Sequence, residues 1–168
     1  MKRIFAFAMV FVMLFSMTSC MKDGFEGADK VFSASGMSIT LTENFVETSF
    51  EGYDACYDSA TVAVFCLKEP FSMAEGVADL TLDQYAELTI TANQAHNPTL
   101  KEVDGMPVME YTFFNEDPDT NYAYFSAMYK SGDAFWAIQF ACDAELYEAH
   151  EETFVKWAKS VVFDAAAR

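Results

Sequence analysis

The side chains here best able to do chemistry are two histidines, four cysteines and an excess of carboxylates, and their spacing narrows what they can do. His150 and Glu151 open the pattern H-E-x-x-H, in which two histidines one helical turn apart hold zinc while the glutamate activates water. The place of the second histidine is taken by Phe154, so the pattern fails. His96 stands apart, in an expected loop before Asn97 and Pro98, so no metal and no cofactor is expected. Asp117, Asp119 and Asn121 alternate in NEDPDTN as the first ligands of a calcium loop do. An EF-hand then needs Gly at the sixth place and Glu at the twelfth, where this chain has Tyr122 and Met128. The segment reads as a polar hairpin loop, with weak calcium binding as the alternative. Nucleophile-elbow, phosphate-loop and dinucleotide fingerprints are all absent, leaving hydrolase and nucleotide chemistry without a motif. A pocket built from scattered groups would draw on residues such as Asp58, Glu110 and Tyr111.

One thiol has a definite reading. The chain opens MKRIFAFAMVFVMLFSMTSC, with Lys2 and Arg3 before an apolar run from Ile4 to Phe15 and then small residues. That order of basic, apolar and small segments is a secretory signal, and the run falls short of the about 20 residues needed to cross a bilayer. Met17, Thr18, Ser19 and Cys20 resemble the bacterial lipobox. The resemblance implies cleavage between Ser19 and Cys20 and a diacylglyceryl group in thioether linkage to Cys20, chemistry suited to a thiolate nucleophile. Two acyl chains hold a protein firmly where one holds it marginally. Met21, rather than Asp, follows the cysteine. By resemblance to lipoprotein sorting signals this implies the outer membrane in a two-membrane cell and the outer face of the plasma membrane otherwise.

Cleavage there leaves 149 of the 168 residues, enough for one domain with a real core. It also removes two cations, taking the formal charge from −16 to −18. So acidic a surface repels phosphate backbones, so nucleic acid is not an expected partner and the lipid must do the anchoring. Cys56, Cys66 and Cys142 remain, an odd number with no C-x-x-C spacing, compatible with one bridge or none. Cys66 and Cys142 lie in register with apolar neighbours and read as small buried residues.

The elements that must position these groups follow from periodicity. Residues 20–36 carry the lipidated cysteine and an aperiodic, charged tether, and residues 37–168 form a single domain. Met37, Ile39 and Leu41 alternate as a first strand, and Asn44 to Tyr53 reads as irregular. Strands are expected at Ala55–Ser59 and Thr61–Lys68, the latter apolar on both faces and therefore covered on both. Thr81 caps a helix with Gln84 as its reciprocal partner, running from Leu82 to about Gln94. Leu100–Val103 and Met106–Asn115 flank an Asp104-Gly105 turn, with Pro107 near a strand start. Strands Tyr122–Lys130 and Ala134–Cys142 complete a meander. Asp143 caps a final helix whose His150, Phe154, Trp157, Ala158 and Val161 share a stripe, and whose Glu152 and Lys156 are spaced to pair. Alternation sends Met109, Tyr111 and Phe113 to the core and sets Tyr122 and Tyr124 on a face with Ser126 and Lys130, as candidates for an exposed ligand or partner patch.

With its TLDQYAELT helix, D-G-x-P hairpin, strand meander and FVKWAKSVVF helix, the chain from about Met37 to Asp164 resembles the small PsbP-like and DcrB-like exported proteins. The resemblance implies an α+β fold, an antiparallel sheet of about six or seven strands flanked by helices as a PsbP-like sandwich. It implies an accessory or assembly role in the cell envelope, with no shared catalytic motif. The expectation is a membrane-anchored, extracytoplasmic, non-catalytic module that binds an envelope protein or glycan. The competing reading is an envelope hydrolase or small-ligand carrier with a carboxylate- and tyrosine-lined pocket.

Overall fold

The computed structural model describes residues 21–92, 96–116 and 119–164. Ser19, Cys20 and Asp117 therefore lie outside the described residues. In chain order the elements are β1 (Asp29–Ala34), β2 (Met37–Thr42), β3 (Val46–Thr48), β4 (Ala55–Asp58), β5 (Val62–Pro70), α1 (Leu82–Ala92), β6 (His96–Val103), β7 (Met106–Asn115), β8 (Thr120–Lys130), β9 (Ala134–Asp143), α2 (Ala144–Lys159) and β10 (Val162–Phe163). Among the described residues no helix is long and apolar enough to cross a membrane.

The fold is α+β. A seven-stranded antiparallel sheet in the order β3-β4-β5-β9-β8-β7-β6 carries the core, and a three-stranded sheet β1-β2-β10 packs beside it. The meander forms as its turns dictate: Asp104 and Gly105 both take positive φ, 52° and 81°, as a type I′ hairpin requires. Pro107 faces Glu102 of β6, while pairing with β8 begins one residue later, at Val108. Thr81 Oγ1 accepts from Gln84 N at 3.2 Å and Gln84 Oε1 accepts from Thr81 N at 2.9 Å, so the expected capping box is in place.

The apolar run of β5 divides between two layers, as its lack of alternation requires. Val62, Val64 and Cys66 join Phe125, Phe140, Phe154 and Trp157 in a core beneath α2 and the small sheet. Ala63 and Phe65 point the other way, into a second cluster with Tyr122 and Tyr124. Beside it α1 lays Tyr85 and Ala86 over Met109, Met128 and Phe135. Both faces of the large sheet are filled by side chains.

Four expectations are corrected. The tether is short, because Asp29–Ala34 is a strand paired along its whole length with β2. Part of the irregular stretch is strand, Val46–Thr48, paired with β4. His96 begins β6 opposite Thr112 instead of standing in a loop. Lys156 reaches Asp29, Nζ to Oδ1 3.0 Å, in place of the Glu152 pairing. Asp143 does cap α2, its Oδ1 accepting from Glu145 N at 3.0 Å. Cys56, Cys66 and Cys142 are buried and unbridged.

Candidate functional site

The best-built feature at the start of the described residues is the segment from Lys22 to Phe25. Lys22 O accepts from Ala60 N at 2.9 Å, the first described bond after the cysteine. Gly24 N donates to Thr61 Oγ1 at 3.0 Å, and that hydroxyl donates to Asp23 Oδ1 at 2.7 Å. From the other side, the buried Thr42 hydroxyl donates to Gly24 O at 2.8 Å and Asn44 Nδ2 donates to Asp23 O at 2.9 Å. Phe25 then stacks on His150 of α2, ring centroids 3.6 Å apart, with Trp157 beyond at 5.8 Å. Residues 22–25 thus form a strap across one end of the sheet, between the β4–β5 turn and α2. Periodicity had no means of finding it, because its partners lie tens of residues away. The available signal was local: Gly24 followed by Phe25 in an otherwise charged segment.

Tyr122 and Tyr124 are not an exposed patch; they are 6% and 3% exposed. Tyr111 stacks on Tyr124 at 4.5 Å and donates from its hydroxyl to Gln139 Oε1 at 3.1 Å. Tyr53 packs on Phe65 at 5.1 Å, and Phe50 meets the same ring edge-on at 6.3 Å. Alternation set Tyr122 and Tyr124 on one face, but that face is covered by Tyr53, Tyr111 and Phe113. Burial, reinforced by Cys56, pushes the Tyr53 hydroxyl up to about 12, and burial raises Tyr124 further. These phenols stay protonated at neutral pH, suited to packing and hydrogen bonding.

The acids nominated for a pocket do not converge. Asp58, on β4, is raised by burial, with the Thr48 hydroxyl, which donates at 3.1 Å, acting in the opposite direction. Glu110, on β7, lies four strands further on, beyond β5, β9 and β8. It accepts from the Tyr147 hydroxyl and lies 2.8 Å from Lys101 Nζ, which also pairs with Glu151. Tyr111 follows Glu110 directly along β7 and projects to the opposite face. Asp119, from the candidate calcium loop, is an exposed turn residue with φ 60°. Among the described residues no cluster of three metal-capable side chains occurs.

An open groove of about 300 Å³ lies at the other end of the sheet, lined by Leu82, Met106, Met128, Tyr129, Val161 and Phe163. Two cations rim it. Lys130 Nζ donates to the carbonyls of Ala78 and Leu80 at 2.9 and 2.7 Å, and Lys159 Nζ to Asp104 Oδ2 at 2.8 Å. The Tyr129 hydroxyl is committed to Ala158 O at 2.8 Å. The groove offers apolar surface and held positive charge, with no nucleophile beside an activating base.

With the architecture in view, the chain defines an α+β protein whose antiparallel sheet is covered by a helix on each face. A Bacteroides thetaiotaomicron crystal structure is similar to it at a TM-score of 0.50 and 12% identity, over 84% of this chain and 50% of that one. This chain thus spans half of that one. The solution structure of cyanobacterial PsbP from Synechocystis sp. PCC 6803 aligns at 0.47 and 9% identity, over 82% of this chain and 94% of its own. A Pseudomonas aeruginosa protein of unknown function, PA94, aligns at 0.41 and 9% identity, over 81% and 97%. No family model and no curated protein matches the sequence.

Proposed function

We propose that this chain is an extracytoplasmic lipoprotein, held to a membrane by a diacylglyceryl group on Cys20. On this reading it serves the cell envelope as a non-catalytic binding or accessory module. The observation that carries the reading is the start of the strap at Lys22. Lys22 O, two residues after the expected cleavage point, already accepts from Ala60 N, and Gly24 is held by Thr61 and Thr42, so the chain that follows Cys20 is built into the fold. The filled sheet faces and the separation of Asp58 from Glu110 add support, since they leave recognition to the outer surface. The partner in this reading is an envelope protein or glycan.

Metabolic labelling with a clickable fatty acid tests the anchor. Label is expected in the wild-type chain and absent in Cys20→Ala, which should also leave the membrane fraction. A Cys20→Ala chain that stayed with membranes and still lost its signal would overturn the reading. Cross-linking in intact cells, followed by mild detergent extraction, tests the binding role; failure to recover any reproducible partner counts against it.

A further inference from the structure

We infer that the domain docks end-on against a zwitterionic bilayer, with the β4–β5 turn facing lipid and the groove of Met106, Met128 and Phe163 facing away. This rests on the lipid anchor proposed above. The reasoning begins with slack. From Cys20 to Lys22 the chain can span at most about 7 Å, two residues at roughly 3.5 Å each. Lys22 is already bonded to Ala60, and Gly24 to Thr61 and Thr42. A lipid on Cys20 therefore holds the Ser59–Thr61 turn close to the headgroups, which a long flexible linker would not do.

The opposite end is fixed by the same geometry. Strand β5 leaves the anchored turn at Val62 and ends at Pro70, nine residues, or about 30 Å at the usual strand rise. Pro70 pairs with Ala134 and Lys130 with Phe135, so the groove lies at that far end. Docking holds it away from the membrane, open to a partner in the surrounding space.

Charge selects the lipid. Around the strap Glu26 and Glu43 are exposed and Asp23 and Asp58 half-buried, with Lys22 as the strap's own cation. Anionic headgroups within about a Debye length, 8–10 Å, would repel this end. Val46, 48% exposed and opposite Asp58 in the register, adds an apolar contact there.

The test couples the mature chain through Cys20 to a maleimide lipid in phosphatidylcholine vesicles, since Cys56, Cys66 and Cys142 are buried from the reagent. Benzoylphenylalanine replaces Val46 or, in a second variant, Glu43; at the far end it replaces Met73, and lipid adducts are counted after illumination. Adducts at 46 and 43 are expected to exceed those at 73 about tenfold, because the anchor lies at the strap end while Met73 follows Pro70 at the far end of β5. A flexible Gly-Ser insert of about ten residues before Lys22, reaching roughly 18 Å, should abolish that contrast. Phosphatidylglycerol in the vesicles should lower the adducts at 46, and salt should restore them. Equal adducts at 46, 43 and 73 would overturn the docking. Because the lipid is attached chemically, that outcome is separate from failure of fatty-acid labelling, which would overturn the native anchor alone.

Discussion

A β-carbon on Gly24 would stand 2.2 Å from Ser59 Oγ, so the strap can cross the β4–β5 turn only because residue 24 has no side chain. Ser59 has no room to yield: it is 1% exposed, donates to Val62 O at 2.9 Å and accepts from Val62 N at 3.0 Å. Gly24→Ala should therefore destabilise the domain by about 1–3 kcal/mol, the usual range for overpacking. Ser59→Gly should recover part of that loss in the double variant. Urea midpoints of the four chains measure the coupling, and strictly additive losses would show that the two positions do not meet.

Reactivity of the thiols should separate Cys20 from the rest. Burial, joined by the charges of neighbouring acids, pushes Cys56 up to about 11 and Cys142 up to about 12, and Cys66 is raised further. A thiol reacts as its thiolate, so these three are silenced twice, by protonation and by enclosure. A chain produced to begin at Cys20, without lipid, should release one equivalent of chromophore with Ellman's reagent at pH 8 and four in denaturant. More than one rapid equivalent in the native chain would contradict the buried cysteines.

Those cysteines also mark what a sequence makes legible. Their burial was readable, because Cys66 and Cys142 sit in apolar strand runs. So were three features decided within a few residues: the Asp104-Gly105 hairpin, the Thr81–Gln84 box and the Asp143 cap. The strap and β1 were hidden because their partners are distant and their own residues are charged. Lys156 illustrates the point, turning from Glu152 four residues back to Asp29, 127 positions away. Tyr122 and Tyr124 fail for a different reason: period two separates the faces of a strand, but what later covers each face is a tertiary fact.

Asp58 should make the domain less stable as pH rises. Burial holds its carboxyl above the usual value, with the Thr48 hydroxyl opposing, so the folded state binds the proton more tightly than the unfolded chain does. The stability this gives is fully present below the unfolded value of about 3.9 and is lost as pH rises through the folded value. Asp58→Asn, which still accepts from Thr48, should be more stable than wild type at pH 7 and equal to it at pH 3. Asp133 should behave oppositely, because the Lys68 ammonium 2.9 Å away lowers its carboxyl. Its contribution is present above the unfolded value and lost as pH falls, and at an exposed site amounts to no more than about 1 kcal/mol. Urea midpoints against pH should therefore slope in opposite directions for Asp58→Asn and Asp133→Asn relative to wild type.

Lys101 ties β6 to both β7 and α2. Its ammonium lies between Glu110 and Glu151, and although burial lowers its affinity for the proton, the bonds to those two carboxylates raise it on balance. The stability from this pairing is fully present below the unfolded lysine value of about 10.4 and is lost as pH climbs through the raised folded value. Lys101→Met keeps the aliphatic stem and removes the charge, leaving two carboxylates facing each other beside the Tyr147 hydroxyl. The cost at pH 7 should be about 1–2 kcal/mol, discounted because the lysine side chain is 34% exposed. As pH climbs through the raised folded value of Lys101 the wild type loses the pairing, so the gap between variant and wild type should narrow there. A gap that stays constant as pH rises through that value would show that the lysine's charge does not contribute to it.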